Sequence, residues 1–326
     1  MIEQPDIQLD ASAYDFDPSY GYSLSQLLSI VPPRPPAGYQ EFWHSCYKAA
    51  LAMQPQLQLY QVATTDDWRV FEISYISTDQ LTIRGWLLLP TRHDVKRGFI
   101  VSHGYGGRTA PDLGLPFKDA AILFPCCRGL PMSTQTGIAS DAYGHVLHGI
   151  EHKDSYILKG CIEDIWLAVS ALLNFLPQLT GHLGYLGTSF GGGIGALALA
   201  FEPRIARAHL NVPSFGHHSL RMRLPTWGSA HSVQQYYLKH RKATLKVLKF
   251  YDAAIAAQFL IQPTHCACAL FDPCVAPPGQ FAIYNAIPGR KQLYILQAGH
   301  HDYPEQAHQQ AELNAELQSF FAPLCG

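Results

Sequence analysis

The sequence predicts a three-layer α/β fold with a mainly parallel sheet, and three observations carry that reading. Short apolar runs alternate with glycine-bearing turns and helical stripes from about residue 98 onward, and two β-rich stretches precede them. The pentapeptide Gly187-Thr188-Ser189-Phe190-Gly191 stands between one such run and a helix. Repeated strand, loop and helix puts helices on both faces of a parallel sheet, with ligand sites at the carboxyl ends of the strands.

Taken in order, Met1 to Asp17 is acidic and lacks both a basic segment and an apolar core, so a secretory signal is not expected there. Ile30-Val31-Pro32-Pro33-Arg34-Pro35-Pro36 is rigid and extended, a strap between an N-terminal arm and a helix over about Gly38 to Met53. The expected organisation is an arm and helical extension over residues 1–67, packed on a main domain over 68–326. Trp68 to Ser77 and Leu81 to Leu89, joined through Thr78-Asp79, read as an opening antiparallel hairpin. Gly98 to Ser102 and Ala120 to Phe124 are apolar runs that suit strands buried on both faces. A helix from about Leu158 to Leu176 carries Ile162, Ile165, Trp166, Val169, Leu172, Leu173 and Leu176 on one stripe. Strands follow at Leu183 to Leu186, Ala208 to Val212, Thr264 to Phe271 and Gln292 to Leu296, with Pro277-Pro278 starting a helix between the last two. The stretch 213–251, rich in His, Arg and aromatic residues, is longer than a connection needs and reads as a helical insertion that roofs the site.

Bulk composition narrows the function. The chain has 326 residues, 48% hydrophobic and 15% charged, which suits one large core and argues against disorder. A formal net charge of −2 gives no electrostatic footprint for nucleic acid or an anionic membrane, and Lys239-His240-Arg241-Lys242 reads as a solvated helix face. No apolar run reaches membrane-spanning length. Eight cysteines at uneven spacings, with no export signal, favour reduced thiols and a cytoplasmic location.

By itself the pentapeptide equally describes a glycine-rich turn whose serine caps a helix. Between a strand and a helix, a G-x-S-x-G turn lifts the serine hydroxyl clear of the sheet as a nucleophile elbow. A serine hydroxyl at neutral pH needs a histidine base, and the base needs an acid to fix its tautomer. In elbow proteins these follow in the order Ser, acid, His. Asp272 ends the apolar strand Ala267 to Phe271, and His300 follows the strand Leu293 to Leu296 through Gln297-Ala298-Gly299. Ser189, Asp272 and His300 therefore fall at one edge of the sheet in the required order. Alone, Asp272-Pro273 is also a turn opener, and His301 is a neighbouring alternative base. The tetrahedral intermediate needs two amide donors: Phe190 supplies one by position, and Tyr105, in Ser102-His103-Gly104-Tyr105-Gly106-Gly107, is the choice for the other.

These motifs resemble the acetyl xylan esterase and cephalosporin C deacetylase family, carbohydrate esterase family seven, of the α/β-hydrolase superfamily. The resemblance runs from about Tyr39 to Phe321. It rests on Arg128-Gly129-Leu130, the Ser189 elbow, Asp272 followed by Pro277-Pro278 and Tyr284-Asn285, and His300-His301. It implies an α/β-hydrolase fold and a serine esterase that deacetylates small carbohydrate-like esters through an acyl-enzyme. It also implies an oxyanion hole of the Tyr105 and Phe190 amides, a supporting role for Arg128 near the loops or the acid, and a homo-oligomer, commonly a hexamer. Three positions depart from the family pattern: Leu130 replaces a glutamine, Phe190 a glutamine and His301 a glutamate. The Phe190 ring beside the nucleophile is expected to reshape the acyl or alcohol pocket.

No cofactor is expected. His148 and His152 share an i, i+4 spacing with His145 nearby, but Gly144 and Gly149 interrupt that helix and no HExxH occurs, so no metal is expected either. Cys126, Cys127, Cys266 and Cys268 read as small buried hydrophobes, and His217-His218 as part of a solvated loop. The expected partner is a small acetyl ester. The alternatives are a related hydrolase of other acyl specificity, such as a peptidase, thioesterase or lactonase, and a non-catalytic relative.

Overall fold

The computed structural model describes residue 9 and residues 11–325. The opening eight residues of the expected arm lie outside the described residues, so the reading of Met1 to Asp17 applies structurally only to its later part.

Among the described residues nine strands form one sheet: β1 (Gln58–Thr64), β2 (Trp68–Ile76), β3 (Thr82–Pro90), β4 (Arg97–Ser102), β5 (Ala120–Pro125), β6 (Leu183–Thr188), β7 (Arg207–Asn211), β8 (Thr264–Phe271) and β9 (Lys291–Ala298). Their spatial order is β1-β2-β3-β5-β4-β6-β7-β8-β9. The first three pair antiparallel and β3 joins β5 antiparallel, with Trp86 opposite Phe124. From β5 onward every pairing is parallel, with Ile100 opposite Tyr185 and Gly187 opposite Leu210. This is the α/β-hydrolase arrangement the sequence predicts.

β1 was not anticipated. Its residues are almost all exposed, Tyr60 and Val62 among them, so it lacks the apolar alternation that marks a half-buried strand. It pairs with β2 at the sheet edge, so the sheet begins inside the stretch expected as an extension.

The helices are α1 (Leu24–Leu28), α2 (Tyr39–Leu51), α3 (Ala142–His145), α4 (Ile157–Phe175), α5 (Phe190–Leu199), α6 (His218–Arg221), α7 (Ser229–Leu248), α8 (Ala253–Ala256), α9 (Pro277–Ala286) and α10 (Gln306–Phe321). Side-chain alternation along the strands divides the core between two layers. Ile100, Leu123, Tyr185 and Leu210 pack in the layer that contains α4 and α5. Val101, Ile122, Leu186 and Leu296 pack against Leu313, Leu317 and Phe321 of α10. The expected stripe is buried from Ile162 to Leu172, while Leu173 and Leu176 at its end are half-buried, and Trp43 of α2 crosses Trp166 edge-on with ring centroids 6.1 Å apart. Pro277 opens α9, where its missing N–H costs nothing. Within 213–251 lie α6 and α7, the latter carrying the exposed run Lys239 to Lys242. No described helix is long and apolar enough to cross a membrane.

Candidate active site

β6 ends at Thr188 and α5 begins at Phe190, which leaves Ser189 alone at the corner with φ 54° and ψ −110°. Few L-residues hold that conformation, so the packing must impose it. A Cβ on Gly187 would stand 2.3 Å from the Gly191 carbonyl oxygen, and one on Gly191 2.8 Å from that of His103. The elbow therefore closes only with glycine at both positions. Two further bonds pin it: Ser189 N–H donates to the Asn211 carbonyl at 2.8 Å, and Ser214 N–H donates to the Ser189 carbonyl at 3.0 Å.

The strand ends of β8 and β9 bring Asp272 and His300 to this corner. His300 Nδ1 lies 2.8 Å from Asp272 Oδ2, and His300 Nε2 lies 2.8 Å from Ser189 Oγ. A carboxylate only accepts, so Nδ1 carries the proton and Nε2 is free to accept from the serine hydroxyl. Burial pulls the His300 imidazolium down, but the charge and hydrogen bond of Asp272 outweigh it, and the histidine sits above its ordinary value.

Asp272 is fully buried and four donors satisfy it. Oδ1 accepts from Cys274 N–H and Val275 N–H, each at 2.8 Å, while Oδ2 accepts from His300 and from Gln280 Nε2 at 3.0 Å. Gln280 also donates to the Val275 carbonyl and accepts from Ala269 N–H, so α9 locks the acid's turn to β8. Sequence reasoning missed Gln280, whose spacing from Asp272 carries no motif.

His301 faces elsewhere. Its Nδ1 lies 2.8 Å from the Tyr14 hydroxyl, and the Tyr14 ring packs 4.6 Å from that of Trp227. The arm also accepts Asp272 N–H at the Pro18 carbonyl, 3.0 Å, and donates from the Tyr20 hydroxyl to the Pro225 carbonyl. The N-terminal arm and the segment after β7 are thus tied to the acid's turn.

The two amides expected as oxyanion donors have no acceptor among the described residues. Phe190 N–H opens α5, where the first turn leaves its donors unpaired and the helix dipole favours negative charge. Tyr105 is the second residue of a turn closed by Gly107 N–H to the Gly104 carbonyl at 3.1 Å. Three contacts hold that loop. His103 Nδ1 donates to the Gly104 carbonyl, and its Nε2 accepts from Cys127 N–H at 3.1 Å, while Gly191 N–H donates to the His103 carbonyl. Burial pushes His103 down to about 4, which keeps it the neutral bridge these bonds require.

The Phe190 side chain corrects an expectation. It is fully buried, packed 4.4 Å from the Tyr105 ring and 6.0 Å from that of Phe215, so it lines no accessible pocket. The departure from glutamine is absorbed by the core beneath the loop that carries Tyr105.

Of the two expected places for Arg128, by the loops or by the acid, the structure gives the first. Arg128 is buried and shares no partner with Asp272; it binds Asp164 through Nε and Nη2, and reaches Asp79, Ser77 and Thr78. Burial disfavours its charge, but the adjoining Asp164 carboxylate more than compensates, and the guanidinium is held firmly protonated. The β2–β3 turn is thereby clamped to α4. The Arg128 carbonyl meets His145 Nε2 at 2.9 Å, and His145 Nδ1 meets the Tyr105 hydroxyl at 3.0 Å, so one histidine bridges Arg128 to the loop that carries Tyr105. Leu130 is fully buried beside it.

His145 is committed to these bonds and is not grouped with His148 and His152. Cys127, Cys161 and Asp164 do bring ligand atoms within 4.8 Å of one another, but Asp164 is occupied by Arg128 and Ser77.

Comparison with known proteins fits this geometry. The acetyl xylan esterase (AXE1) family model matches residues 23–318. Among solved structures, an acetyl xylan esterase from Paenibacillus sp. R4 superposes with a TM-score of 0.76 at 21% identity, over 90% of this chain and 99% of that one. Acetyl xylan esterase 1 from Thermoanaerobacterium sp. JW/SL YS485 gives 0.79 at 18%, over 95% and 99%. An acylaminoacyl peptidase from Pyrococcus horikoshii gives 0.60 at 15%, over 78% of this chain but 41% of the peptidase. The structural matches establish a shared fold; the family model, spanning most of the sequence, establishes that the chain belongs to the acetyl xylan esterase family.

Proposed function

We propose that this protein is a serine esterase that removes acetyl groups from small acetylated carbohydrates or related acetyl esters. The observation that carries the reading is the continuous path Ser189 Oγ, His300 Nε2, His300 Nδ1, Asp272 Oδ2, with both hydrogen bonds at 2.8 Å. In this reading Ser189 attacks the acetyl carbonyl as His300 takes its proton, and Asp272 holds the tautomer and stabilises the imidazolium. The carbonyl oxygen, now negative, meets the Phe190 and Tyr105 amides, which have no other acceptor. His300 then protonates the leaving alcohol, and water repeats the sequence to release acetate.

The helical segment 213–251 roofs this site in the same reading, supported by Trp227 N–H donating to the Pro273 carbonyl beside the acid. Self-association is supported by the outer edge of β1, which pairs with β2 on one side only among the described residues and carries Tyr60, 73% exposed. A cytoplasmic location is supported by eight thiols that form no disulfide.

Hydrolysis of aryl acetates and acetylated xylo-oligosaccharides tests the activity, with an acetylated cephalosporin and longer acyl chains setting its range. Ser189→Ala is expected to abolish turnover and fluorophosphonate labelling. A folded Ser189→Ala protein that still turns over would refute the assignment of the nucleophile.

A further inference from the structure

Arg221 closes α6 and is 8% exposed. A buried guanidinium normally brings a carboxylate with it, as Arg128 does with Asp164 and Arg97 with Asp119. Arg221 makes no ion pair and no side-chain hydrogen bond among the described residues, and its Nη1 is sealed from solvent without a partner. Its guanidinium carbon lies 5.3 Å from the Phe215 ring centroid. Burial pulls its pKa downward, against weaker support from Tyr156, Tyr105 and Asp252. Asp252 is already spent on the amides of His217, His218, Ala254 and Ile255.

Arg221 lines a small cavity of about 10 Å³ with Phe215, Gly216, Leu224, Val275, Ala276 and Gly279. Two of these walls are tied to the candidate triad. Phe215 follows Ser214, whose N–H holds the Ser189 carbonyl, and Val275 N–H holds Asp272 Oδ1. The space admits roughly one water-sized atom, which suits the tip of a carboxylate and excludes a sugar ring. An unpaired buried cation lowers stability, and such a cost is retained where function needs the charge.

We propose that Arg221 is a specificity-determining residue that binds a carboxylate carried by the alcohol portion of the substrate, so that the preferred acetyl esters are anionic. This rests on the esterase reading above. The test compares phenyl acetate with 4-carboxyphenyl acetate on the wild type, Arg221→Met and Arg221→Lys. The ratio of kcat/KM for the carboxylate ester to that for the neutral one is expected to fall about ten- to a hundredfold in Arg221→Met, mainly through KM. Arg221→Lys should restore part of it. A merely structural arginine would lower Tm on replacement, whereas Arg221→Met is expected to keep or raise it.

A second readout needs no turnover: benzoate should raise the Tm of the wild type and not that of Arg221→Met. If the wild type hydrolyses neither ester, the esterase reading fails while the benzoate shift still reports on the anion site. An unchanged ratio in folded Arg221→Met, or in Arg221→Lys should the methionine variant not fold, overturns the proposal. So does an unchanged ratio with weakened inhibition by acetate, which would assign the carboxylate to the released acid.

Discussion

Gln280 and His300 converge on one oxygen of Asp272: Gln280 Nε2 donates to Oδ2 at 3.0 Å, and His300 Nδ1 donates to the same atom at 2.8 Å. The acid is thus oriented from α9 as well as from its own turn. Gln280→Leu removes that donor and leaves Ala269 N–H and the Val275 carbonyl without their side-chain partner. Each orphaned group costs about 1–3 kcal/mol. Denaturant unfolding should show that loss, with kcat/KM on an aryl acetate reduced roughly ten- to a hundredfold as the acid loosens.

The pH profile reports the His300–Asp272 pair. His300 must be neutral to accept the serine proton, and Asp272 raises its pKa against burial. Activity should therefore rise with pH through a limb lying above the ordinary histidine value of about 6.5. In Asp272→Asn the carboxylate charge is gone and burial remains, so the limb moves to lower pH. The same change is expected to cost about four orders of magnitude in kcat, because Nε2 no longer reliably presents its lone pair.

Gly299 lets His300 approach its acid. A Cβ there would stand 2.4 Å from Asp272 Oδ2 and 2.9 Å from Val212 Cγ1. Gly299→Ala must displace one or the other, and a shift of about 1 Å at the base costs roughly a hundredfold in rate. Aryl acetate kinetics should show a fall in kcat with little change in KM.

Arg128 and Asp164 form a buried pair, with side chains 4% and 0% exposed and 2.7 Å apart. Arg128→Met leaves Asp164 uncompensated and should cost about 3–5 kcal/mol. Adding Asp164→Leu removes the stranded charge and should recover much of that loss in equilibrium unfolding. A double variant no more stable than Arg128→Met would show that the clamp on the β2–β3 turn matters more than the pair.

Phe190 separates a backbone role from a side-chain role. Phe190→Ala empties a fully buried site against Tyr105 and Phe215, at about 3–5 kcal/mol. The amide stays in place, so fluorophosphonate should still label Ser189 at temperatures below the lowered Tm.

Much of this was legible in the chain. Two β-rich stretches joined by a short turn located the antiparallel β2 and β3, and apolar runs ending in turns located β4 to β9, because strands covered by helices on both faces are apolar on both. β1 escaped because an exposed edge strand needs no such pattern. Ser189, Asp272 and His300 could be read because a strand end fixes where a loop residue emerges, and their order along the chain is set by topology. The destination of the neighbouring His301 could not: no spacing records it, and only the fold sends that side chain to Tyr14.

Sequence by itself determined the fold class, the elbow and the three residues that meet at it, since each follows from local backbone demands and hydrophobic periodicity. Tertiary structure alone decided where side chains from distant segments end. It buried the Phe190 ring, turned Arg128 to Asp164, set Gln280 on the acid and left Arg221 buried without a counterion. Long-range packing pairs such groups, and no spacing along the chain records which partner a side chain will meet.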